Sequence, residues 1–269
     1  MADVPAPSPL KEHRPGVWLG TSWLRFSGLT LQTRMVVMDT GEGLLLYSPS
    51  PATPDRSILA ELRALGEPRW IVAPNEIHTV GVAAFQEAFP EALTTGCIGH
   101  PRRMKHLNFD TLLDVQSRQA DAPWTRTGTL RFHVIGGNAL LHEIAVLHVP
   151  TRTLVLTDAV ECIHPRRHLA GRPPGRALTW LMKSMGFSYG RPVMSPEHYA
   201  LCVDPRALES SLHTLMSWDF DSLLISHGSL LFGDDARAAV ESSFTRTLAA
   251  ARKRNRVGRA LRRGISRWA

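Results

Sequence analysis

The sequence predicts a layered α/β domain, and three apolar runs carry that prediction. Trp70-Ile71-Val72-Ala73-Pro74 leads into Asn75 and His78, Arg152 to Thr157 ends at Asp158, and Ser222 to Ser226 ends at His227-Gly228. Runs this hydrophobic suit strands covered on both faces, and helical patterns lie between them. The polar ends of such strands emerge at one rim of a sheet, where ligands bind in layered α/β proteins. His78, Asp158 and His227 are therefore candidate metal ligands, three donors that leave a coordination position for water.

The elements follow in order. Residues 1–16, rich in proline up to Pro9, read as a disordered lead-in. With no basic start and no apolar stretch, this segment is not expected to be a signal peptide. From Val17 to Ser50 the pattern is antiparallel, with Leu31–Met38 and Leu44–Ser48 flanking the Gly-bearing loop 39–43. Thr53-Pro54 reads as the start of a helix, Thr as cap and Pro at the first turn, with Gly66 ending it. A strand at 70–74, a helix from about Val80 to Phe89 and a strand from Leu93 to Ile98 continue the α/β pattern.

The middle is strand-rich: Thr129–Ile135, Glu143–Val149 and Thr153–Leu156, the last two joined by the tight turn 150–152. Residues 159–200 break the pattern with five prolines, six clustered bases and an apolar set that includes Leu178, Trp180, Leu181, Met185 and Phe187. They read as a partly helical excursion over the sheet rim. A helix from Pro205 to about Trp218 then leads into the strand before His227, and a final helix starts near Asp234-Asp235.

Composition narrows the function classes. An apolar content of 43% and a charged content of 20% suit a folded globule, and no apolar run approaches the roughly 20 residues of a membrane span. Cys97, Cys162 and Cys202 are odd in number and lack a C-x-x-C pair. Reduced, buried thiols and a cytoplasmic location are the expectation, against a disulfide framework or a Cys-rich zinc module. The net charge of +7 is a local property. Residues 252–269 hold eight bases and no acid, so the remainder stands at −1. A nucleic-acid function for the whole chain does not follow.

The order of elements, with His, Asp and His at three strand ends, resembles the metallo-β-lactamase superfamily over residues 17–250. That resemblance implies an αββα sandwich. The superfamily motif H-x-H-x-D-H is matched by Ala73-Pro74-Asn75-Glu76-Ile77-His78, in which only the last His survives. Asn75 stands where the second His would be, and Ile77 where the Asp would be. Thr157-Asp158 looks like the later G-D, and Ser226-His227-Gly228 like the terminal S/G-H-G. The middle His has no clean match in the region from Gly136 to Glu143.

The ligands of one of the superfamily's two metals are thus missing, while three of the four for the other remain as His78, Asp158 and His227. The chain resembles a divergent, A-P-N-x-x-H-bearing branch with a degenerate, mononuclear site. Zn²⁺ suits imidazole plus carboxylate, with Fe²⁺ or Mn²⁺ as alternatives. Asn75, His142 or Glu143 could complete the coordination, and Asp158 could serve as ligand or base. The resemblance implies a metallo-hydrolase acting on an ester, thioester, lactone or phosphoester, and the bases in 159–200 favour an anionic substrate. Since isoleucine at 77 cannot orient a water, weak hydrolysis or a different reaction is expected. The alternative is a non-catalytic domain with a decayed site that binds a small molecule or partner.

Taken singly, each residue also has an ordinary structural use. His78 could cap a helix, Asp158 a turn, and His227 could be satisfied by backbone. A buried Glu143 bonding backbone amides is likewise the common case. His100, His106, His164, His168 and His198 lack ligand spacing and read as surface or pocket residues, and His148 as a structural one. In the tail (residues 251–269), Val257, Leu261, Ile265 and Trp268 share one helical face among arginines. Packing on its own domain, an anionic membrane surface and, third, nucleic-acid phosphates are the candidate partners of this basic amphipathic segment.

Overall fold

The computed structural model describes residues 5–26, 29–170, 175–184 and 186–265. In chain order the elements are β1 (Lys11–Arg14), β2 (Val17–Phe26), β3 (Leu29–Asp39), β4 (Leu44–Tyr47), α1 (Arg56–Leu65), β5 (Pro68–Val72), α2 (Val82–Ala88), β6 (Leu93–Cys97), α3 (His100–Arg103) and β7 (Thr111–Leu113). There follow β8 (Leu130–Ile135), β9 (Glu143–His148), β10 (Thr153–Leu156), α4 (Pro165–His168), β11 (Leu169–Ala170), α5 (Arg176–Ser184), α6 (Pro196–Leu201), α7 (Pro205–Met216), β12 (Ser222–Ile225), β13 (Leu231–Phe232) and α8 (Asp234–Ile265).

Strand parity builds the layers. One sheet runs β1 to β7 in sequence order, with β11 added beside β3; the other has the order β13-β12-β10-β9-β8. Along β4, Leu45 and Tyr47 face the second sheet, joining Trp70, Val72, Phe132, Ile144, Val146, Val155 and Leu224 in one core. Leu44 and Leu46 face the other way, against Ile58 and Leu62 of α1 and Phe85 of α2. The second sheet does the same on its far side: Leu147, Leu154, Leu156, Leu223 and Ile225 pack under α7 and α8 through Leu208, Leu212, Leu215, Val240 and Phe244. Two sheets face to face, each backed by helices, make the expected αββα sandwich. Burial on both faces explains why these strands read as unbroken apolar runs.

Two local expectations are corrected. Helix α1 is capped by Asp55, whose carboxylate accepts the N–H of Ile58 at 2.9 Å, and starts at Arg56, two residues beyond the expected Pro54. An aspartate caps as well as a threonine and adds negative charge at the positive end of the helix dipole. The lead-in is also partly ordered. Lys11–Arg14 pairs antiparallel with β2, Leu10 packs on the outer core, and Arg14 bonds Asp221 at 2.6 Å. Lys-Glu-His-Arg is an edge strand without an apolar face, so hydrophobic patterning passes over it.

The excursion is a set of short elements stitched to the sheets. β11 pairs with β3, Glu161 and Val193 bond each other's backbones, and the Ser195 N–H donates to the Asp158 carbonyl at 2.8 Å. Met185 lies outside the described residues. Among the described residues no helix is long and apolar enough to cross a membrane.

Candidate metal centre

The three strand-end residues converge. β10 and β12 are parallel neighbours with Leu156 opposite Ile225. Two residues beyond that pair, each chain delivers a donor, Asp158 and His227. The third comes from the loop after β5, where the Asn75 side-chain oxygen accepts the N–H groups of Ile77 and His78 at 3.0 Å each and fixes the backbone of His78. Gly228 lets His227 sit where it does. Its φ is +113°, and a Cβ there would meet the Cys162 carbonyl oxygen at 2.2 Å.

One ligand atom from each of His78, Asp158 and His227 lies within 4.8 Å of the others. His78 Nε2 is 3.3 Å from Asp158 Oδ2 and 3.2 Å from His227 Nε2. Tetrahedral ligands at metal bonds of about 2.05 Å would stand about 3.3 Å apart, so these separations fit a cation at the centre. All three residues are buried.

Each donor is held from behind. The far ring nitrogen of His78 bonds Ser48 Oγ at 2.8 Å, and that of His227 donates to the Gln32 carbonyl at 2.8 Å. With Nδ1 so used, the neutral His227 ring presents an Nε2 lone pair to the centre. Asn75 Nδ2 donates to Asp158 Oδ2 at 2.6 Å and to Thr157 Oγ1 at 3.0 Å. Below this, Glu143 accepts the backbone N–H groups of Thr157, Asp158 and Ala159 at 2.7, 2.9 and 2.9 Å, clamping the Asp158 turn.

The electrostatics follow. Burial, reinforced by neighbouring His78, lowers the pKa of His227 to about 4, so the ring is neutral at pH 7. Burial also works against a charged His78, but the adjacent Asp158 carboxylate, helped by Glu143, outweighs it and raises its pKa. For Asp158, burial opposes ionisation, and the neighbouring His78 overcomes it to hold the carboxyl well below its usual range.

Of the residues considered for a fourth ligand, none joins this group. Asn75 spends both ends of its amide on Asp158, Thr157 and the His78 loop. His142 Nδ1 lies 2.8 Å from Glu76 Oε1. Glu143 is the buried backbone acceptor just described, and lies 3.3 Å from His198 Nε2. His100, His168 and His198 are corrections, since all three are buried. His198 sits on α6 against Glu143, and His100 bonds the Cys97 and Asn75 backbones. His148, at the end of β9, bonds Thr151 Oγ1 at 2.7 Å, a structural role as expected.

Above the donors opens a cleft of about 340 Å³. Leu24, Leu31, Pro49, Pro51, Ile77 and Val80 supply much of its wall, with Ser22, Ser50, Glu161 and Glu197 among the polar groups. Arg25 is the one base lining it among the described residues. Among the described residues, the bases of the excursion, expected to favour an anionic substrate, are absent from its walls, and Arg172 lies outside those residues. That segment contributes Glu161 and Glu197 instead. Burial and the adjacent Asp158 carboxylate raise the pKa of Glu161 well above the usual range, and burial also raises that of Glu197. Sequence reasoning missed Gln32, Ser48, Glu161, Glu197 and His198, because contacts between strands and loops far apart in the chain assemble them.

The start of the basic segment turns toward its own domain. Arg252 bonds Glu209 at 2.6 Å, Arg254 lies over the Tyr199 ring and donates to its carbonyl, and Asn255 donates to the Val203 carbonyl. The side chains of Val257, Leu261, Ile265 and Trp268 lie outside the described residues.

No protein-family model matches the sequence, and no curated protein does. Solved structures do. The DIM-1 metallo-β-lactamase exposed to ceftazidime aligns with a TM-score of 0.60 at 14% identity, over 93% of this chain and 99% of that one. A metallo-β-lactamase from Erythrobacter litoralis, with β-mercaptoethanol in its active site, gives 0.60 at 16% identity, over 91% and 96%. FIM-1 from Pseudomonas aeruginosa, in its mono-zinc form, gives 0.55 at 15%, over 91% and 96%. Alignments that span nearly the whole of both chains, together with the two helix-backed sheets, show that this chain has the metallo-β-lactamase fold.

Proposed function

We propose that the chain is a metal-dependent hydrolase with a single-ion site, and that its substrate is an ester, thioester, lactone or phosphoester. One observation carries the reading: a buried His-Asp-His donor triangle, each member braced by a separate hydrogen bond, at the floor of an open cleft. The fold supports the reading too, since the proteins that share it are named as metallo-β-lactamases, one of them in a mono-zinc form.

His78 Nε2, Asp158 Oδ2 and His227 Nε2 would hold the ion, with Zn²⁺ as the best match to two imidazoles and a carboxylate. Such an ion, when bound, lowers the pKa of a coordinated water and polarises a carbonyl or phosphoryl oxygen. The protein does the rest by placement. Ser48 and Gln32 set the ring orientations, Asn75 holds Asp158 in line, and the apolar wall limits the water that reaches the floor. Ile77 faces this cleft where the superfamily motif has an aspartate, and it can neither accept nor relay a proton. Turnover is therefore slow relative to a site with that carboxylate.

The test is metal analysis of the full chain purified without chelator, beside His227→Ala. The wild type should carry close to one equivalent of metal, and the variant should lose both metal and esterase activity. Wild-type protein with negligible metal that takes up none on titration would leave the decayed-site alternative.

A further inference from the structure

Helix α5 (Arg176–Ser184) buries none of its side chains. A helix of this length is marginal in water without a covering surface. Met182 leans on the small core of Leu31, Phe187 and Val193. The side turned to solvent presents Trp180, 71% exposed, and Leu181, 49% exposed. Arg176 and Lys183, both exposed, stand one turn before and one turn after Trp180 on the same helix surface. The charge around this helix has one sign. From Cys162 to Pro196 the chain carries Arg166, Arg167, Arg172, Arg176, Lys183 and Arg191, with neither Asp nor Glu. Among the described residues, Arg166, Arg167, Arg176, Lys183 and Arg191 are all exposed and none lies in an ion pair. Bases left without acidic partners project a positive field outward.

We propose that α5 docks the protein on an anionic lipid surface. The helix lies in the plane of the headgroups, Trp180 and Leu181 enter the boundary with the acyl chains, and Arg176 and Lys183 meet lipid phosphates. This occupant satisfies both halves of the patch. A nucleic acid would answer the bases and leave Leu181 without an apolar partner. A second copy of the chain, meeting this face with the same face, would set like charges against each other. Leu31 belongs to the cluster under α5 and also lines the cleft, so the docking face and the cleft share a wall residue. Docking needs no metal at the floor of that cleft.

The experiment is co-sedimentation of the full chain with vesicles of phosphatidylserine and phosphatidylcholine, beside vesicles of phosphatidylcholine alone. At low salt the wild type should partition onto the anionic vesicles and far less onto the neutral ones. Trp180→Ser/Leu181→Ser should lower the partition coefficient about tenfold or more. Arg176→Gln/Lys183→Gln should lower it about tenfold or more at low salt, an effect that shrinks as salt rises. These side chains are exposed, so the thermal midpoint should stay in place and a loss of binding is not a loss of fold. Residues 252–269 are present in every variant, so any binding through them is common to all. Anionic vesicles should shift the tryptophan emission of the wild type to shorter wavelength, and Trp180→Phe should shrink that shift while keeping most of the partition.

Equal partition of the wild type and both double variants would assign lipid binding to another surface and overturn the proposal. Failure of the wild type to bind anionic vesicles would do the same. Two other results would replace the occupant. A lipid-free dimer that Trp180→Ser/Leu181→Ser separates would mean a second copy of the chain. Binding of an oligonucleotide, abolished by Arg176→Gln/Lys183→Gln and seen without vesicle binding, would mean a nucleic acid.

Discussion

The side-chain amide of Asn75 donates to the carboxylate of Asp158 at 2.6 Å, while its oxygen accepts the backbone N–H groups of Ile77 and His78. One residue thereby sets the position of two donors that lie 80 residues apart in sequence. It stands where the motif of the superfamily this chain resembles has a histidine, and its bonds here brace two candidate ligands.

Replacing Asn75 with alanine is expected to weaken zinc binding by about 10- to 100-fold, the usual cost of losing support for a metal ligand. Competition with a chromophoric chelator measures this directly. Unchanged affinity would mean that Asp158 and the His78 loop hold their places unaided.

Gly228→Ala should be among the most damaging single-methyl changes in the chain. The new Cβ would overlap the Cys162 carbonyl, and the backbone sits at a positive φ that alanine rarely adopts. A loss of more than about 2 kcal/mol in urea unfolding is expected, together with reduced metal uptake because His227 is displaced.

The pH dependence of stability has a definite sign. Burial, with help from Arg34 nearby, lowers the pKa of His168 to about 4 from an ordinary value of 6.5, and its ring accepts the His164 N–H at 2.9 Å. Between those values the unfolded chain binds the proton that the folded chain refuses, so stability rises with pH through the window and is lost as pH falls toward 4. Urea unfolding of the metal-free chain should show this slope, and His168→Gln should flatten part of it.

Zinc should raise the thermal midpoint of the wild type, by the mass-action term that favours whichever state binds the ligand. His227→Ala should show no such rise. An equal rise in both would place the ion elsewhere.

A chain ending at Ala251 should keep the fold, since among the described residues the ion pair it gives up, Arg252 to Glu209, is solvent-exposed and contributes little. If residues 252–269 attract an anionic membrane surface, sedimentation with anionic liposomes at low salt should fall in the shortened chain. Equal sedimentation of both chains would remove that role.

The layered α/β class and the three candidate donors were legible for one reason: strands buried on both faces leave an unbroken apolar run, and each run stops at a candidate site residue; the αββα sandwich was what the family resemblance implied. Leu154-Val155-Leu156 before Asp158 and Leu223-Leu224-Ile225 before His227 show it plainly. What supports the site was not legible. A buried Glu143 bonding backbone amides was expected, but that those amides belong to the Asp158 turn shows only once the chain folds. Ser48 follows β4 with nothing to mark it as a partner of His78. The edge strand Lys11–Arg14 escaped for a different reason, having no apolar residue to reveal it.

The parallel pairing of β10 with β12 has one more consequence. Because Leu156 is opposite Ile225, the gap between Asp158 and His227 derives from the ladder spacing of about 4.8 Å, a length that the backbone repeats in every parallel sheet. The backbone positions of two candidate ligands are thus gauged by main-chain geometry, before Asn75 and Glu143 hold the Asp158 turn in place. Inserting a single residue after either Leu156 or Ile225 would throw the pair out of step, whereas the loops around them are free to diverge without moving the gauge.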